Sequence, residues 1–187
     1  NIVEAFTSSI DFDSRLFQQD INGSIAHSKM LAKAGILTHD EVDEIIGGLE
    51  QIRKEFERGE IEFQDSLEDV HMHIESRLFE IIGKTAQKLH KARSRNDQVA
   101  LDLRLYLRGE VSALASAVGE LVNVLYDKAE QHAGTIMPGY TNPQHAQPIT
   151  LGHHLIAYAW MLLPDPDPLL PPRRRTHRRP PRCSRPH

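Results

Sequence analysis

Between His90 and Gln98 the chain places Lys91, Arg93, Ser94, Arg95, Asn96 and Asp97, and the longest uninterrupted helical pattern of the sequence follows directly. Forked guanidinium donors at the mouth of a long helix suit a polycarboxylate ligand, because Arg and free backbone N–H groups both favour anionic oxygens. The same residues also describe a solvated, charged helix start, and the segment alone leaves both readings open. A second polar concentration lies at Met137–Pro148, where Pro138, Pro143 and Pro148 interrupt a run containing Thr141, Asn142, Gln144, His145 and Gln147. It reads as a loop rich in amide, hydroxyl and imidazole groups, and serves equally as a linker or a site. His71, His73 and Glu75 have the residue types of a metal site. Positions two apart diverge on a helix, so only His71 and Glu75 can share a face, and no metal is expected.

The elements that would position these groups are helical. Residues 6–16 lead into a pattern of Leu16, Ile21, Ile25 and Leu31, with Asp11 or Asp13 as the cap and Gly35 as the stop. Thr38-His39-Asp40-Glu41 is a capping box for a helix with Val42, Ile45, Ile46, Leu49, Ile52 and Phe56 on one stripe, ended by Gly59. Together these two form an antiparallel hairpin. Ser66–Asp69 caps a third helix, with Val70, Ile74, Leu78 and Ile81 inward and Gly83 at its end. From Ser94 to Gln131 the pattern Val99, Leu103, Tyr106, Leu107, Val111, Leu114, Val118, Leu121, Val122 and Leu125 contains no proline. A helix of that extent is about 57 Å long, which suits a rod lent to an oligomeric bundle. Ile149–Leu163 resumes a helix. With no strand alternation and no internal repeat, the chain is expected to be all-α.

Composition narrows the function classes. The formal net charge of −4 over 187 residues divides into +5 on residues 164–187 and −9 on residues 1–163, so the body has no general affinity for nucleic acid. The single cysteine, Cys183, excludes an internal disulfide framework and points to a reducing compartment. No apolar run approaches the ~20 residues of a membrane span, and no signal peptide is evident, although the chain opens on Asn1. A cytoplasmic location is expected.

Four blocks together resemble argininosuccinate lyase of the fumarase/aspartase superfamily. They are Phe6–Leu16 with Gln19–His27; Glu68-Asp69-Val70-His71; Ala92–Val99; and Pro138-Gly139-Tyr140-Thr141 with Gln144, Ala146, Gln147 and Pro148. The likeness spans residues 1–163. It implies an N-terminal helical domain (1–93), then the first long helices of a fumarase/aspartase-type central bundle (94–163). It implies elimination of fumarate from argininosuccinate to give arginine, without metal or organic cofactor, in a homotetramer whose sites are shared between subunits. A base removes a proton beside a carboxylate, the carbanion is held as a dianion, and an acid protonates the leaving nitrogen. By the same likeness Ser9, Arg95, Asn96, Asp69 and Gln147 occupy substrate-binding positions, and Thr141, His71 and Asn142 (the family's His position) catalytic ones. Asp69 and His71 line the cleft, Gln147 belongs to the last block, and neither nucleic acid nor membrane is a partner.

The likeness also exposes departures. The family loop reads Thr-His-Leu-Gln-Arg-Ala-Gln-Pro, and its His shares in the acid/base chemistry; here that position is Asn142, followed by Pro143, with His145 in place of Arg. An amide has no titratable proton near neutrality, so Asn142 cannot act as acid or base. Lys91 stands where the family has Thr, and the family's catalytic Ser loop lies beyond residue 187. Residues 164–187 hold eight of the eleven prolines and seven arginines, which cannot continue a buried helix and suit a disordered tail. The tail is expected to be a miscoded or frame-shifted continuation, and Asn142, Pro143 and His145 to arise from single-base changes; resequencing of these codons tests it. The expectation is a lyase chain that is inactive alone. The alternatives are a non-catalytic, crystallin-like member of the fold, another fumarate-releasing lyase, and nucleic-acid binding by Arg173–Arg175 with Arg178 and Arg179.

Overall fold

The computed structural model describes residues 8–61, 63 and 67–163. In chain order these form α1 (Ile10–Asp13), a 3-10 turn (Ser14–Leu16), α2 (Phe17–Lys33), α3 (His39–Glu57), α4 (Val70–Ile82), a 3-10 segment (Gly83–Lys88), α5 (Arg95–Gln131), β1 (Ile136–Thr141), β2 (Gln144–Thr150) and α6 (Leu151–Leu162). The all-α architecture is as expected, with one short hairpin added. Two compact units part between Tyr106 and Leu107, within α5. Residues 164–187, the expected cap at Ser66 and the opening Asn1–Thr7 lie outside the described residues.

The first unit is built on the apolar stripes of α2, α3 and α4. Phe17, Ile21 and Leu31 meet Val42, Ile45, Leu49 and Ile52, and Val70, Ile74 and Leu78 close the third side. Each such side chain contributes about 1.5–3 kcal/mol on leaving water. Phe56 packs at the rim and stacks on Phe17 with ring centroids 3.9 Å apart. At Gly48 a Cβ would come within 2.6 Å of Leu78 Cδ1, so α3 and α4 pack closely there and any side chain would have to displace Leu78.

The helix ends follow local chemistry. Glu41 N–H donates to Thr38 Oγ1 at 3.3 Å while Thr38 N–H donates to Glu41 Oε2 at 3.0 Å, the reciprocal box read from the sequence. Gly35, Gly59 and Gly83, expected as stops, all have positive φ (70°, 69° and 62°). The first cap differs from expectation. Neither Asp11 nor Asp13 caps its own helix; Ser9 sits at the N-cap of α1, without a side-chain cap bond. Asp13 serves α4 instead, its Oδ1 accepting from Val70 N–H at 3.3 Å beside the true N-cap, Asp69.

The loop expected at Met137–Pro148 is an antiparallel hairpin, with Ile136 opposite Thr150 and Thr141 opposite Gln144, and an irregularity between Pro138 and Tyr140. Proline hides this from a strand reading. In a two-stranded ribbon both strands are edges, so Pro138 and Pro148 can sit in the pairing without robbing a neighbour of a donor. Asn142 has φ 54°, and proline fixes the next residue near −65°, the sign sequence of a type II′ turn. α6 therefore begins at Leu151, two residues later than expected, with Thr150 Oγ1 accepting from His153 N–H.

Candidate functional site

Of the residues singled out from the sequence, Ser9, Asp69, His71 and Arg95 come together in the first unit. Ser9, Asp69 and His71 line one cavity of about 430 Å³ with Asp13, Arg15 and Tyr106. Ser9 N–H is tied to Glu68 C=O at 2.9 Å, and its hydroxyl donates to Asp13 Oδ2. Asp69 is fixed by its cap, accepting from Met72 N–H at 2.7 Å. Arg95 approaches Asp69, with Nε 4.0 Å from Oδ2.

The donors at the mouth of α5 are more committed than the sequence suggests. Arg95 donates from one terminal nitrogen to Gln98 Oε1 and from the other to Glu75 Oε2, each at 3.0 Å. Ser94 and Asp97 cap each other: Asp97 N–H donates to Ser94 Oγ at 3.3 Å and Ser94 N–H to Asp97 Oδ2 at 3.1 Å. The Ser94 backbone donor lowers the Asp97 carboxyl below its ordinary value. Asn96, on the same turn, is exposed.

Behind the cavity lies a polar seam that sequence reasoning missed. His71 Nδ1 stands 3.4 Å from Asp20 Oδ1 and 3.6 Å from Asp102 Oδ2, and all three residues are at most 1% exposed. Gln98 donates its amide to Asp20, and Arg93 donates to Ser24 Oγ at 3.2 Å. A Cβ on Gly23 would lie 3.2 Å from Asp102 Oδ1, so α2 meets α5 across a glycine at this point. Burial pushes the Asp102 carboxyl up to about 8, helped by the charge of Asp20. Burial opposes the charged forms of Asp20 and His71 too, yet their mutual attraction prevails, lowering the carboxyl and raising the imidazole. The signal available in the sequence was the spacing of Arg95, Gln98 and Asp102, three and four apart on a single helix face.

Asp20, His71 and Asp102 each offer one atom within 4.8 Å of the others, the cluster among the described residues with metal-ligand types. The charge of Arg93 acts on both carboxylates, and Gln98 donates its amide to Asp20. The pairing of His71 with Glu75 does not form. Glu75 turns to Arg95 and to His90, whose Nδ1 is 3.4 Å from Oε1.

Thr141, Asn142 and Gln147 lie in the second unit. Thr141 ends β1, Asn142 is in the turn and Gln147 is on β2. Thr141 and Gln147 line a cavity of about 660 Å³ with Tyr140 and His154. His145 faces Tyr140 across the hairpin, ring centroids 5.0 Å apart.

Among the described residues, no helix is long and apolar enough to cross a membrane. A sequence model described as "Lyase" matches residues 1–177. Argininosuccinate lyase of Desulfatibacillum aliphaticivorans is 54% identical over 167 residues, 89% of this chain and 36% of that protein. The enzyme of the same name from Hahella chejuensis is 56% identical over 163 residues, 87% of this chain and 35% of its own length. The chain thus spans about a third of the length of these relatives. Among solved structures, an EDDS lyase variant with bound fumarate superposes with a TM-score of 0.72 at 33% identity, covering 88% of this chain and 31% of its own. A fumarate lyase:delta crystallin from Brucella melitensis has a TM-score of 0.68 at 20% identity, over 83% of this chain and 40% of its own, a likeness of fold. The chain belongs to the lyase family, and within it resembles the argininosuccinate lyases.

Proposed function

We propose that this chain carries the N-terminal part of an argininosuccinate lyase, the enzyme that eliminates fumarate from argininosuccinate to leave arginine. One observation supports this above the others: Ser9, Asp69 and His71 line a single cavity, with Arg95 4.0 Å from Asp69. Polar groups on three segments converge there, as recognition of a carboxylate-bearing substrate requires. Ser9, Arg95, Asn96, Asp69 and Gln147 are assigned to substrate binding, and His71, Thr141 and the altered Asn142 to the catalytic positions. Thr141, Asn142 and Gln147 are assigned to the part of the site carried by the hairpin.

The reaction needs an acid or base that Asn142 cannot supply. The 187-residue chain alone therefore binds without turning over. The apolar outer face of α5, with Leu107, Leu114 and Leu121 exposed, fits a homotetramer in which long helices bury one another. The division into a helical domain (1–93), a bundle portion (94–163) and a Pro/Arg-rich tail belongs to the same reading, as do a cytoplasmic location and independence of cofactors. Asn142 favours a non-catalytic, crystallin-like role as the second reading, because it removes the titratable group and leaves the fold intact.

Titration of the purified chain with argininosuccinate, followed by NMR, is expected to shift the signals of Ser9, Asp69 and Arg95. Fumarate release, followed by absorbance, is expected to be absent. Lack of any shift at millimolar ligand sinks the assignment of the site, and measurable turnover sinks the assignment of inactivity. Sedimentation of the same sample reads the assembly.

A further inference from the structure

Arg95 is held by two neighbours, and one of them is itself held from behind. Gln98, 3% exposed, lies between a buried anion and a cation: its Nε2 donates to Asp20 Oδ1, and its Oε1 accepts from an Arg95 terminal N–H at 3.0 Å. Chemistry alone fixes the orientation of this amide. Turned over, it would set oxygen against carboxylate and N–H against guanidinium, two repulsive contacts in a dry site. Asp20 is in turn fixed by His71, whose Nδ1 lies 3.4 Å away. On the other side Glu75 Oε2 accepts from the second Arg95 terminal nitrogen at 3.0 Å.

We infer that Gln98 is a positioning residue: anchored by Asp20, it joins Glu75 in clamping the Arg95 guanidinium in one orientation beside Asp69 at the edge of the cavity. This deepens the reading of Arg95 as a carboxylate contact and rests on it. A guanidinium has five N–H donors, and two are taken here, so three remain for a ligand. A clamped fork has lost its rotamer freedom before the ligand arrives, so binding does not have to order it. The arrangement reaches across three helices: Arg95 and Gln98 are one turn apart on α5, Asp20 is on α2, and His71 and Glu75 are one turn apart on α4. It ties the half-buried recognition group to deeply buried charges of the unit.

The test follows the Arg95 Nε–H signal by ¹⁵N NMR in the full chain, identified by its loss in Arg95→Lys, with succinate as the dicarboxylate probe. Gln98→Met keeps the volume and removes both bonds. It is expected to raise hydrogen exchange at Arg95 Nε–H at least tenfold and to weaken succinate binding by a similar factor, with the far-ultraviolet circular dichroism unchanged. The double variant Asp20→Asn with Gln98→Glu exchanges donor and acceptor along the same line, and is expected to restore the protection, which a merely space-filling role for Gln98 would not predict. Unchanged Arg95 protection in Gln98→Met overturns the inference. Protection lost while succinate binding stays as in the parent chain upholds the clamp, and sinks instead the reading of Arg95 as a ligand contact.

Discussion

The first turns of α5 and the remainder of the helix follow opposite rules of burial. Gln98 and Asp102, polar and charged, are 3% and 0% exposed, whereas Leu107, Leu114 and Leu121 are 43%, 63% and 48% exposed. The difference lies in the partners. The buried polar end faces Asp20 and His71 of its own chain: Gln98 donates to Asp20, and Asp102 lies 3.6 Å from the His71 ring nitrogen. The apolar stripe faces nothing comparable among the described residues, and beyond Tyr106 the buried side chains are only Ala129 and Ala159. One end of the helix thus makes its contacts within the chain, while the other leaves large apolar side chains exposed among the described residues.

The largest expected effect separates these ends directly. Leu49, fully buried in the first unit, should cost about 3 kcal/mol when truncated, because Leu49→Ala loses apolar contact and leaves a cavity. Leu114→Ala should change the stability of the monomeric chain by no more than about 0.5 kcal/mol. Urea unfolding of both variants measures this. A large loss at Leu114 would mean that the stripe is already covered within the chain.

The polar seam predicts a pH dependence that the apolar core cannot produce. Asp102 titrates near 8 when folded and near 3.8 when unfolded, so between these values the native state holds more protons and stability falls as pH rises. The raised His71 acts in the same direction, its contribution present below about 6.5 and lost above its folded pKa. Asp20, lowered on folding, acts oppositely, and its contribution is lost only below about 4. From these three groups stability should therefore be highest near about pH 4 and decline toward pH 8, by up to about 1.4 kcal/mol per pH unit for each proton involved. Asp102→Asn should flatten that decline. Urea midpoints at pH 5, 6.5 and 8 that run parallel in both proteins would remove Asp102 as the source.

These two ends also divide what was legible in the sequence. Periodicity found α3, α4 and α5 because amphipathic stripes are local patterns, and Thr38-x-x-Glu41 found its cap because both partners lie within one turn. The seam was not legible. Asp20, His71 and Asp102 are 51 and 31 residues apart, and no local rule says that two carboxylates will be buried on one imidazole. For the same reason a local reading offers Asp11 or Asp13 as the cap of their own helix, when the N–H that Asp13 accepts belongs to Val70. At the candidate site the motifs point to Ser9, Asp69, His71 and Arg95, but of the groups that hold Arg95, Glu75 meets it only where α4 approaches α5, and Gln98 is itself held by Asp20 of α2. The hairpin was missed because its prolines argue against strands in any sheet wider than two.

Two threonine caps sharpen the contrast between the units. Thr38 starts α3 and Thr150 starts α6, and each accepts one backbone N–H three residues on. Thr38→Ala is expected to cost about 1 kcal/mol in global stability, since α3 carries the core. Thr150→Ala removes the same bond from a helix whose buried residues are Gly152 and Ala159. Its loss should appear as faster local amide exchange in α6 rather than as a shifted global midpoint. An equal midpoint shift for both would show that the second unit unfolds together with the first.

The smallest effects concern the two described non-glycine residues with positive φ, Ala92 at 60° and Asn142 at 54°. A Cβ in the left-handed region costs about 1–2 kcal/mol, less for Asn, whose side chain tolerates it. Ala92→Gly removes that cost but also loosens the unfolded chain, so a net gain of about 0.5 kcal/mol is expected. Asn142→Ala brings the penalty into the hairpin turn, and should raise amide exchange across β1 and β2 without moving the midpoint of the first unit. Ala92 lies directly before Arg93, one of the cations of the buried seam. A destabilising Ala92→Gly would show that the left-handed turn is held by contacts stronger than its own strain, and that the approach to the seam is as rigid as its interior.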